Sequence, residues 1–200
     1  MLKQFIALIN KENITLFLKI FIPTLIIVLA VAFQPWHEPK IFLRDINIGV
    51  YTGLLSNIGA FFWNSAAVIC FLGACYAKKF KTKETFQFLR FAGCFSLFLM
   101  IDDFFMIHDR VLPRHLNWPE EIMYIGYIFG VIYYLYLYLK MKNLFYAPLL
   151  LSAFGFLGLG FIGDILGLGY VEEDGSKFIG ISLWLAFHSV STWALLKEDR

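Results

Sequence analysis

Charge is what this chain lacks. Only 16 % of its 200 residues are Asp, Glu, Lys or Arg, while 60 % are apolar or aromatic. Soluble domains carry about 25 % charged and 45–50 % apolar residues. A water-soluble monomer is therefore excluded, and so are a disordered chain, a collagen and a coiled coil. Cysteine is scarce as well: Cys70, Cys75 and Cys94 are the three in the chain. An odd number this small excludes a disulfide-stapled secreted scaffold, and they read as small buried hydrophobes. The formal net charge of +2 is too small to imply a nucleic-acid partner. No internal repeat is evident. The apolar runs are continuous and do not alternate with period two, which excludes the strands of a membrane barrel.

What is present is a series of long apolar segments. A helix needs about 20 apolar residues to cross the hydrocarbon of a bilayer. Six segments meet that length: 14–33, 48–77, 86–106, 122–139, 146–168 and 179–196. The expected fold is an all-α, polytopic membrane bundle of six transmembrane helices, forming one integral membrane domain over residues 1–200. Ala30-Val31-Ala32 has the small-x-small form of a signal-peptidase site. The apolar run before it is long for a signal h-region, so the first segment is read as a retained span.

Orientation follows from Lys and Arg in alternate loops. With a cytoplasmic N-terminus, the inner segments hold eleven of them and the outer segments five. Much of the excess comes from the loop 78–90, with Lys78, Lys79, Lys81, Lys83 and Arg90. Both termini are expected to be cytoplasmic, in a plasma or inner membrane.

This topology sends the titratable residues to one side. Eleven of the fifteen acids and three of the four histidines fall in outer loops or outer helix ends, and His188 lies in the outer half of the last span. Asp102 and Asp103 stand near the outer end of the third span, and Asp164 near that of the fifth. A carboxylate at mid-membrane costs about 2.5–3.5 kcal/mol on insertion scales, so such residues usually face the bundle interior and pair. With ~100° per residue, a continuous helix puts Asp102 and Asp109 on one face, Asp103 with Arg110 on another, and His108 about 100–120° from Asp102. In the second span Gly53, Asn57, Ala60 and Asn64 recur at helical spacing, with Ser56 beside them.

Carboxylates and imidazoles are ligands suited to zinc, manganese or iron. The candidate divalent-metal ligands are Asp102, Asp164 and His188, with His108 or Asp109 as proton shuttle. Ser56, Asn57 and Asn64 are the candidate lining of a lipid-substrate pocket. His-Glu-x-x-His and His-x-x-x-His are both absent, which removes the common zinc-protease and membrane-hydroxylase patterns.

One stretch carries a family likeness. Asn47, followed by Leu55-Ser56-Asn57-Ile58-Gly59-Ala60-Phe61, and His188 after Trp184 in the last span resemble the corresponding motifs of alkaline ceramidase-type membrane hydrolases. The resemblance implies a bound zinc ion and hydrolysis of a lipid amide or ester by zinc-activated water. Thr192 stands where a second histidine of the final motif would be. Two other classes remain open on the residues alone. Paired intramembrane acids with a histidine also suit a proton- or ion-coupled carrier. The run Tyr133, Tyr134, Tyr136, Tyr138 on span four suits a homo- or hetero-oligomer contact of an accessory subunit.

The orientation is testable directly. A cysteine placed in the loop 78–90 should resist an impermeant thiol reagent in intact cells and react after permeabilisation. Labelling from outside would invert the topology.

Overall fold

The computed structural model describes residues 11–35, 38–43, 53–119, 121–141 and 146–197. They form helix, and no strand occurs among them. In chain order the helices are α1 (Lys11–Phe33), α2 (Pro39–Leu43), α3 (Leu54–Phe80), α4 (Lys83–Phe105), α5 (Glu121–Lys140), α6 (Ala147–Leu166) and α7 (Tyr170–Lys197), with a wide π-helical segment, Ile107–Leu116, after α4. Helices α1, α3, α5, α6 and α7 are each long and apolar enough to cross a bilayer. A sixth span results when α4 is taken with the segment bent 62° away from it. The architecture is that of a helical membrane protein.

Helix ends follow local chemistry. Thr82 caps α4, its hydroxyl oxygen accepting the Thr85 N–H at 3.3 Å, with Glu84 in the first turn where the helix dipole favours an acid. Helix α7 begins at Tyr170, nine residues before the expected start at Ile179. Its first turn holds Glu172 and Glu173, so acids expected in an outer loop instead occupy a helix N-terminus, where the dipole stabilises them. At 28 residues α7 spans about 42 Å, longer than the hydrocarbon of about 30 Å, which leaves room for these acids beyond it. The second span was expected from Ile48; α3 starts at Leu54, and residues 44–52, with Asn47 of the family likeness, lie outside the described residues.

The chain packs as two compact units. The first comprises residues up to Phe62 and Phe145–Val190. Its core holds Leu149, Leu150 and Ala153 of α6 with Trp184, Phe187 and His188 of α7. Phe154 meets the Trp184 ring edge-on at 5.4 Å. Between membrane helices there is no hydrophobic driving force, and close van der Waals approach supplies the stability. Glycines permit that approach. A Cβ on Gly180 would stand 2.8 Å from the backbone nitrogen of Leu157, and one on Gly160 would stand 3.1 Å from the Glu173 carbonyl oxygen. A Cβ on Gly155 or Gly158 would meet nothing within 4 Å.

The second unit comprises Trp63–Leu144 and Ser191–Arg200. Here α4 and α5 share a buried aromatic layer. Phe88 meets Tyr134 edge-on at 5.1 Å and Tyr138 at 5.7 Å. The tyrosine run of α5 thus divides by helical phase: Tyr134 and Tyr138 are core, while Tyr133 and Tyr136 are exposed. Gly73 admits the Thr192 side chain, whose methyl carbon would stand 2.8 Å from an added Cβ. The cysteine expectation needs correcting: Cys70 is buried, but Cys75 and Cys94 are exposed, on helix faces that no described neighbour covers.

These contacts give a paired test. Gly180→Ala should lower thermal stability by about 1–3 kcal/mol, the usual cost of overpacking. Gly158→Ala has open space and should be neutral or stabilising by up to about 1 kcal/mol, through helix propensity. Unfolding of both variants in one detergent measures the difference; equal effects would mean that α6 and α7 do not approach this closely.

Candidate functional site

The site begins where α4 stops. Met106 takes left-handed backbone angles (φ 48°, ψ 49°), and its N–H bonds back to the Asp102 carbonyl. For a residue with a side chain this conformation costs roughly 1–2 kcal/mol. The chain then continues with the wider spacing of the π segment, in which the Val111 N–H reaches the Met106 carbonyl at 3.2 Å. Such segments are uncommon and concentrate at functional sites.

The break changes which side chains meet. On a continuous helix His108 would point well away from Asp102. After the turn at Met106 it folds back onto it. The Asp102 carboxylate, 3 % exposed, is enclosed by donors. Its Oδ1 accepts the His108 backbone N–H at 3.0 Å, and its Oδ2 lies 2.7 Å from His108 Nδ1. The Tyr127 hydroxyl, from α5, donates to the same Oδ2. Three hydrogen bonds therefore fall on two oxygens, and a carboxylate that would be costly in a low dielectric is provided for.

The histidine is less enclosed than its partner. The His108 side chain keeps 13 % of its surface and the Asp102 side chain 4 %. A neutral imidazole that donates from Nδ1 carries its lone pair on Nε2. The Tyr127 and Tyr124 rings lie 6.2 and 6.4 Å from the imidazole and limit how far it can turn. The arrangement can take up a proton at Nε2 and hold the resulting positive charge beside a carboxylate. Asp103 turns the other way and accepts a hydrogen bond from Trp63 Nε1 of α3 at 3.1 Å.

The remaining sequence candidates are placed as follows. The Asp109 side chain is outside the described residues, although its backbone belongs to the π segment. Asp164 is half-buried in the last turn of α6, where its carbonyl accepts the Gly167 N–H. His188 is wholly enclosed, with the Trp184 and Phe187 rings at 4.8 and 5.0 Å. Asp164 and His188 belong to the first unit, Asp102 and His108 to the second. Ser56 is half-buried on α3. Asn57 and Asn64 are exposed there, whereas Gly53 and Ala60 of the same expected stripe are buried. No group of three or more His, Cys, Asp or Glu among the described residues could hold a metal ion. The two oxygens of Asp102 are engaged with N–H and O–H donors instead.

Tyr127 and Trp63 were not among the candidates. Each reaches its aspartate from another helix, and one-helix phase carries no information about that. A faint signal existed for Tyr127: a phenol on span four near the same membrane end as Asp102.

No curated protein and no solved structure matches the chain. A family model does, over residues 18–191, which takes in Asp102, His108 and Tyr127. The chain belongs to that family, described as "Domain of unknown function (DUF8692)".

Proposed function

We propose that this membrane protein is a hydrolase of lipid esters or amides in which His108 is the general base, oriented by Asp102 and Tyr127. The observation that carries the reading is the 2.7 Å contact between His108 Nδ1 and Asp102 Oδ2. It suits the tautomer that donates from Nδ1 to the carboxylate and carries the basic lone pair on Nε2. In the proposed step, Nε2 takes a proton from water as the water oxygen attacks the lipid carbonyl. Asp102 stabilises the imidazolium, which then protonates the departing alkoxide or amine. Tyr127 holds the carboxylate and excludes water from it.

The surroundings support a substrate that arrives within the bilayer. Phe104, Phe105 and Trp118 flank the bend with 55, 61 and 54 % of their surface exposed. Tryptophan favours the headgroup level of a membrane, which is also the depth of acyl-chain carbonyls. On the sequence-based topology this end of α4 faces the non-cytoplasmic side. The likeness to alkaline ceramidase-type hydrolases points to the same reaction class. It also implies zinc, but the described residues do not assemble that ligand set, so each step is assigned to the chain's own side chains.

The test uses the purified full chain in nanodiscs of mixed phospholipid and sphingolipid, with released fatty acid read by mass spectrometry. His108→Gln should lower turnover by about 10²–10⁴, the usual contribution of a general base. Tyr127→Phe should lower it less, and both variants should keep the helix content of the parent by circular dichroism. Unchanged turnover in His108→Gln would end the proposal. So would a pH gradient across proteoliposomes that the parent dissipates and His108→Gln does not, without lipid release, since that is a carrier's behaviour.

A further inference from the structure

Helix α3 has two unlike faces. Trp63, Ala66, Ala67, Cys70, Ala74 and Ala77 are buried. The opposite side exposes Asn57, Phe61, Asn64, Val68 and Cys75. At ~100° per residue, Asn57 and Cys75 lie within about 20° of Asn64, and Val68 within about 40°. These residues follow the alternating four-and-three spacing of a helix-pair seam.

Two carboxamides on the outer face of a membrane-spanning helix are chemically out of place. Asn64 lies ten residues from the start of α3, about 15 Å along its axis, near the middle of a hydrocarbon layer of about 30 Å. Four hydroxyls on other membrane helices are satisfied within their own helices. Thr24, Ser152, Ser182 and Ser189 each donate to the carbonyl four residues earlier, at 2.8–2.9 Å. No described residue hydrogen-bonds either the Asn57 or the Asn64 side chain. Amides left in hydrocarbon draw helices together.

We propose that a second copy of this chain docks on this face of α3, with Asn64 against Asn64 and Asn57 against Asn57. A carboxamide both donates and accepts, so it is completed by another of its kind. Two copies inserted with the same topology are parallel, and a two-fold axis along the membrane normal brings every seam residue opposite itself at the same depth. The seven-residue interval between the two asparagines matches the 3.5-residue period of a left-handed crossing, in which a buried Asn fixes register. A different membrane protein would have to present two polar groups at both depths and in this phase; a second copy does so by identity.

The test begins in native membranes. Cys75 continues the seam, so mild oxidation with copper phenanthroline should yield a disulfide-linked species of twice the chain mass. Cys75→Ser should abolish it and Cys94→Ser, on α4, should not. In liposomes, energy transfer between labelled copies should report a dimer whose dissociation constant rises about three- to tenfold in Asn64→Leu. Asn64→Gln, which keeps the amide, should recover most of that loss. A Cys75 adduct of any other mass, single-step photobleaching at all protein-to-lipid ratios, or undiminished energy transfer in a variant carrying both Asn57→Leu and Asn64→Leu would each overturn the proposal.

Discussion

A single carboxylate near the end of a long apolar helix organises what is distinctive here. Asp102 is buried where water cannot serve it, so its two oxygens must find protein donors. It draws a backbone N–H and an imidazole from its own chain six residues on, and a phenol from α5. Meeting that demand requires α4 to stop at Met106 and the chain to turn back. The left-handed residue, the widened π backbone and the 62° bend are parts of one solution. They are stabilised by three hydrogen bonds to an ionised group, each stronger than a neutral one.

The bundle around that point rests on different physics. Within each unit, helices that share an apolar solvent gain little from mutual burial and rely on contact distance. Glycine at Gly180 and Gly160 lets α6 and α7 touch backbone. Rings do the equivalent work between α4 and α5, where Phe88 lies against Tyr134 and Tyr138. The packing is therefore sensitive to single methyl groups at a few positions and tolerant at others, such as Gly158.

The helical membrane architecture was legible in the sequence because it depends on run length and charge depletion, both visible along one dimension. Asp102 and His108 were also legible as candidates, since an acid and an imidazole near the end of an apolar run stand out. Their pairing was not. A helix continuous through Asp109 keeps the two apart, and a break near Ile107 leaves the position of His108 open; the chain leaves the α-helix at Met106, a residue with no special preference for left-handed angles. The start of α7 was misplaced for a related reason. Glu172 and Glu173 look like loop residues by polarity, yet their charge suits the first turn of a helix. Tyr127 needed knowledge of which helix packs against α4, information carried by Phe88 and Tyr134 only once both are in three dimensions.

The hydrogen bonds between Asp102 and His108 close a ring of chain that contains the bend itself. Straightening α4 through Met106 would carry the His108 backbone N–H and its imidazole away from the carboxylate together. The imidazole therefore has its tautomer assigned only while the helix is broken. Bilayer thickness and lateral pressure act on the tilt of membrane helices. At this end of α4 such mechanical load bears on the same hinge that decides which imidazole nitrogen carries the proton.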